Sequence, residues 1–261
     1  MRSSWPRGAV LLLALAVTAA WAYARLKARA ERTRWERTLG VIVYVLGDAG
    51  PGAVEELRGD LDRLGARLAE DKAALGQGPE PFRFEVVGPL VPERLPPADP
   101  PAGASWVERA GYAAALWRVE RAVRAVAPAP DPRAYDIRVY LVLAPETDRS
   151  LAEGVAEAGG EVAVVHAALG QGALLAATAV AHEALHAVGA TDKYDPAGHA
   201  VAPAGLYQPD RTPTYPQGRA ELMVGEVPLA PGRGRLPERA EELGVGPETA
   251  REIGWRAPVQ P

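Results

Sequence analysis

Between positions 172 and 189 the chain reads GALLAATAVAHEALHAVG. That composition favours a helix, and Gly189 is a suitable stop because glycine tolerates positive φ. The helix is apolar on nearly every side, so it belongs in the interior. Yet it carries Glu183 and two histidines, His182 and His186. Burying those groups without partners would be costly. Their spacing offers a way out. Four residues apart on a helix, His182 and His186 lie one turn apart on one face, so both imidazoles can reach a single ion. The plain alternative is a helix on which the short pattern HExxH occurs by chance, with the burial cost left unexplained.

The rest of the segment supplies the other parts of a metal site. Glu183 lies about 100° round the helix from His182, beside such an ion rather than on it. There it can take a proton from water. Gly189 permits a sharp turn, and Asp192, six residues after His186, can come back as a third ligand. Three protein ligands leave one position for water, the pattern of a catalytic rather than a structural zinc. Asp195 and His199 follow in the next loop, and either could serve instead. The spacing from Gly189 favours Asp192. His166 ends an apolar run and reads as a structural or rim histidine.

Composition limits the alternatives. With 261 residues, 48% of them hydrophobic, the chain can bury a good-sized core. A net charge of −4 gives no reason to expect a nucleic-acid partner. Cysteine is absent, which excludes disulfides, thiolate ligands, a cysteine nucleophile and a thiol-based latency switch. The basic residues are almost all arginine, with lysine only at 27, 72 and 193. That bias fits a GC-rich bacterial coding sequence.

The one long apolar run is GAVLLLALAVTAAWAYA, residues 8–24, just behind Arg2 and Arg7. It reads as a signal peptide or membrane anchor over 1–24, with the uncleaved anchor favoured because Arg25 is a poor neighbour for cleavage. Basic residues crowd 25–40, which reads as a stalk. The expected location is membrane-anchored or exported, in a bacterial cell envelope. A buried core helix is the bland alternative for 8–24.

From 41 to 261 the pattern reads as one domain. VIVYVL (41–46) is a strand, and Val54, Leu57, Leu61, Leu64 and Leu68 recur at helical spacing behind Pro51. FRFEVV (82–87) is a strand, and 89–101, with six prolines, is an irregular connection. Ser105 and Glu108 form a capping-box pattern before a helix striped by Tyr112, Leu116, Val119, Val123 and Val126. YDIRVYLVL (135–143) and EVAVVHA (161–167) are further strands. This order predicts an α/β fold, a mixed twisted sheet with helices. The 24 residues from 195 to 218, with five prolines, are too long for a plain connection, and such loops are usually functional or disordered.

HEALHAVGATD (182–192) resembles the metzincin zinc-peptidase signature, with aspartate in place of the usual third histidine. It is most similar to the snapalysin-like pattern HExxHxxGxxD, in which a tyrosine follows two residues later, as Tyr194 does here. AELMVG places Met223 where the resemblance implies a Met-turn beneath the metal; otherwise Met223 is core filler. GPETAREIGW (246–255) resembles the helix that closes such domains. The resemblance implies a zincin-type α+β fold with an active-site helix, Met-turn and C-terminal helix. It also implies one catalytic zinc held by His182, His186 and Asp192, with Glu183 as general base. The activity implied is that of an endopeptidase acting on a peptide or protein substrate, with 161–166 pairing an extended substrate and 195–218 lining the pocket. Two departures stand out. The helix at 105–126 is outside the usual order, and Gly225 occupies the place of a tyrosine that assists some metzincins, leaving Tyr194 as the candidate replacement. The rival reading is a non-catalytic, membrane-anchored binding module that keeps the metal as a staple; Glu183 argues against it, since a structural site needs no base.

Overall fold

The computed structural model describes residues 7–97, 103–127, 129–144, 153–156, 161–168 and 172–255. Its centre is β1 (Leu39–Leu46), a strand buried on both faces. Val41, Val43 and Val45 point to one side of the sheet, and Ile42, Tyr44 and Leu46 to the other. A strand with two apolar faces must be covered twice, which is the rule for parallel sheets.

Around it lie β2 (Phe82–Leu90), β3 (Ile137–Ala144), β4 (Glu153–Ala156) and β5 (Val162–Ala168), in the order β2-β1-β3-β5-β4. The first four strands of that order are mutually parallel, and β4 runs antiparallel to β5. The fold is therefore mixed α/β around a largely parallel sheet.

One face is covered by α2 (Pro51–Ala74) and α4 (Ala173–Ala187), which bring Leu57, Leu61, Leu64, Leu68, Val180, Ala184 and Leu185 into the main core. The other face is covered by α3 (Trp106–Val126) through Val119 and Val123. Its N-terminus carries the expected capping box, with Ser105 and Glu108 each bonding the other's backbone. Beyond α4 come β6 (Ala220–Glu221), the hairpin of β7 (Val227–Ala230) and β8 (Arg233–Arg235), β9 (Leu243–Gly244) and α5 (Pro247–Glu252).

One expectation fails. The strand EVAVVHA does not border a free edge, because β5 pairs with β3 on one side and β4 on the other. Val164 lies opposite both Tyr140 and Val155. Among the described residues the edges of the sheet are β2 and β4, and β4 is a four-residue strand too short and too poor in periodic signal to be read from sequence.

The N-terminal helix α1 (Arg7–Arg32) stands apart. Its side chains Leu12, Leu13, Leu15, Val17, Tyr23 and Leu26 are 56–70% exposed, so the reading of 8–24 as a core helix does not hold. Among the described residues, no helix is long and apolar enough to cross a membrane. The segment read as a stalk is helical through Arg32 and then joins the domain. Arg32 is buried and faces Glu161, while Trp35 packs edge-on against Phe82 and Trp255 and donates Nε1–H to the Ile253 carbonyl at 2.6 Å.

Candidate metal centre

His182 and His186 sit in the last turns of α4, their rings 4.7 Å apart and edge to face. Each ring is fixed by a backbone carbonyl. His182 Nδ1 faces Leu222 O at 3.1 Å, and His186 Nδ1 faces Ala190 O at 2.9 Å. A carbonyl only accepts, so in both rings the proton belongs on Nδ1 and the lone pair on Nε2. Both Nε2 atoms then point at Asp192 Oδ1, each at 3.1 Å.

Gly189 makes this possible. Its φ of +107° turns the chain back immediately after the helix, and Ala190 N–H bonds Leu185 O at 3.0 Å. Among the described residues, His182, His186 and Asp192 are the one group of three that can share a metal ion. Two lone pairs and a carboxylate oxygen repel one another at these distances unless a cation lies among them or a proton joins one of them. The donor set therefore fits a divalent metal ion. Electrostatics agree. Burial works against the charge on Asp192, but the two imidazoles outweigh it and hold its carboxyl well below the usual range. Burial also opposes a charged His186, yet Asp192, the Ala190 carbonyl and Glu183 together raise its pKa.

Glu183 is buried, on the same helix, and near enough that its charge bears on both His186 and Tyr194. Tyr194 is partly exposed, its ring 6.3 Å from that of His182. Burial, with Asp192 and Glu183 adding to it, pushes its phenol up to about 12, so it stays protonated at neutral pH. Met223 is fully buried, and it is its backbone and that of its neighbour that touch the site region. Leu222 O holds His182, and Met223 O accepts from Lys193 N–H at 3.1 Å. The turn closes with Val224 N–H and Gly225 N–H on Glu221 O, both at 2.9 Å. Gly225 has φ +82°, a conformation a tyrosine would adopt only under strain.

The alternative ligands go elsewhere. Asp195 Oδ1 accepts from Ala197 N–H and His199 N–H, closing its own turn. His199 pairs with Glu226 at 3.3 Å. His166 lies between Val142 and Glu153 in the sheet register, on the α3 side with Val164. The loop 195–218 is ordered: buried Gln217 bonds Gln208 twice and Thr214 O once, and a Cβ at Gly205 would lie 2.5 Å from Lys193 O. A cleft lined by Glu56, Asp60, Arg63 and the first turn of α4 opens at the far end of that helix from the histidines.

Sequence reasoning missed the groups that hold the site together: the carbonyls of Leu222 and Ala190, and Lys193 and Glu252, whose side chains pair at 2.7 Å. Backbone acceptors carry no sequence signal. Lys193 did offer one, as one of three lysines in a chain whose other basic residues are arginines, placed beside the motif. Compared with protein-family models and with curated proteins, the chain matches none.

Proposed function

We propose that the protein is a zinc-dependent endopeptidase of zincin type, similar to the snapalysin-like metzincins. The observation that carries this reading is the convergence of His182 Nε2 and His186 Nε2 on Asp192 Oδ1 at 3.1 Å, beside a buried glutamate on the same helix. When bound, zinc supplies Lewis acidity toward a carbonyl and makes a nearby water more acidic. Glu183 accepts the proton of the attacking water and returns it to the leaving amine. Tyr194, protonated and partly open to solvent, donates a hydrogen bond to the oxygen that gains charge as the carbonyl is attacked.

The outer edge of β4, unpaired among the described residues, gives an extended peptide a row of backbone groups to pair with, in place of β5. The exposed apolar face of α1 supports attachment to or export through a membrane, with the peptidase domain carried behind it.

The test is metal analysis of the full-length protein together with cleavage of a peptide library followed by mass spectrometry. One zinc per chain is expected, with endoproteolysis that stops on chelation and returns with added zinc. Zinc without cleavage of any peptide would leave the metal-stapled binding module as the better reading. A protein that takes up no metal would defeat both.

A further inference from the structure

Asp192 is half-exposed and sits on a loop, yet its Oδ1 meets two imidazoles, each at 3.1 Å. What holds it lies on its two neighbours. Thr191 N–H donates to Glu252 Oε2 at 2.9 Å, and Thr191 Oγ1 donates to Glu252 Oε1 at 2.8 Å. Lys193 Nζ donates to Glu252 Oε2 at 2.7 Å, to Thr191 O at 2.7 Å and to Thr191 Oγ1 at 2.6 Å. All three protons of that buried ammonium are used. Glu252 therefore grips the residue before Asp192 and the residue after it with one carboxylate.

The grip is anchored. Glu252 ends α5, whose N-terminus is held by buried Glu221 through Gly246 N–H and Thr249 Oγ1. Just past Glu252, the Ile253 carbonyl is bonded by Trp35, and Ile253 and Trp255 lie fully inside the core.

We infer that Glu252, with Lys193, is a positioning pair that sets the geometry and affinity of the metal centre through Asp192, without touching the ion. This rests on the metal-site reading above. The carboxylate is 60 residues away in sequence, and α5 thereby joins the construction of the site rather than merely closing the domain. Groups of this kind, one step removed from the ligands, change metal affinity by about 10–100-fold when lost.

The experiment measures the zinc dissociation constant of the full-length protein by chelator competition, and records the visible spectrum of its cobalt form. It compares wild type with Glu252→Gln, Thr191→Val, Lys193→Met, Lys193→Arg and Glu242→Gln. The last breaks an ion pair with Arg235 in the same C-terminal region, at 2.8 Å, and reports any general loosening. Glu252→Gln should weaken zinc binding about 10–100-fold and alter the cobalt bands. Thr191→Val should weaken it in the same direction by less. Lys193→Arg, which keeps the charge, should recover part of the affinity lost in Lys193→Met, and Glu242→Gln should stay within about twofold of wild type. Affinity and cobalt spectrum unchanged in folded Glu252→Gln would overturn the inference, as would equal losses in Glu242→Gln. If Glu252→Gln does not fold, Thr191→Val decides by the same two readouts. Wild-type protein that binds neither ion would instead overturn the metal-site reading itself.

Discussion

His182 donates its Nδ1 proton to the carbonyl of Leu222, 40 positions further on, at 3.1 Å. That bond selects the tautomer whose Nε2 faces Asp192, and it ties the motif helix to the turn that contains Met223. His182 is thus oriented by a backbone atom of a segment that contributes no side chain to the His182–His186–Asp192 group.

On the proposed function, ligand and base are separable. Glu183→Ala should keep zinc near one equivalent yet lose about 10²–10⁴-fold in peptide turnover. Asp192→Ala should lose both metal and turnover. Asp195→Ala and His199→Ala should leave metal content intact, since one closes its own turn and the other pairs with Glu226. Metal analysis and a peptide assay on the four variants decide this. Zinc kept in Asp192→Ala but lost in either of the last two would move the third ligand along the loop.

Met223 is fully buried in the main core, while the contacts of its turn with the site run through main-chain oxygens. Met223→Leu conserves volume and should cost less than about 1.5 kcal/mol, with zinc retained. Met223→Ala should cost about 2–5 kcal/mol by leaving a cavity. Chemical denaturation of both variants, with metal analysis, tests the pair. Loss of zinc in a stably folded Met223→Leu would show that the thioether itself supports the ion.

Glu221 makes stability depend on pH. Burial raises its carboxyl from an ordinary value near 4.5 to about 7, although Thr249, Gly246 and Met223 all donate to it and pull the other way. A group whose folded pKa is raised contributes stability that is complete below its unfolded pKa and is lost as pH passes the folded one. Stability should therefore fall between about pH 4.5 and 7, by of order 1–3 kcal/mol from this group. Glu221→Gln cannot titrate and should be less stable at pH 5 but flatter across the window. Melting temperatures at pH 5 and pH 8 for both proteins check the sign, and identical pH slopes would refute the assignment.

Trp35 shows that the domain begins earlier than its first strand. It is buried against Phe82 and Trp255 and bonds Ile253 O at 2.6 Å. Trp35→Ala should cost about 3–5 kcal/mol, whereas Leu15→Ala on the exposed face of α1 should leave domain stability within about 0.5 kcal/mol. Denaturant titration in detergent resolves the two, and a Trp35→Ala protein as stable as wild type would mean that this stretch is only a stalk after all.

Local signals carried far in this chain. The apolar run at 41–46, the alternating run at 82–87, the stripe from Val54 to Leu68 and the Ser105–Glu108 cap all mark elements that occur close to where they were read. The same holds for the cluster of His182, His186 and Asp192, because i,i+4 spacing on a helix and a glycine turn are short-range geometry. What tertiary structure decided is everything that depends on pairing across long separations. Strand order placed β5 inside the sheet and left β4 on its edge, although β5 reads as the better strand. Packing drew Trp35 into the core from a basic segment, because its indole finds Trp255 and an acceptor in Ile253 more than 200 residues away. Glu252 reaches the Asp192 loop for the same reason: α5 docks on partners that no spacing in the chain encodes.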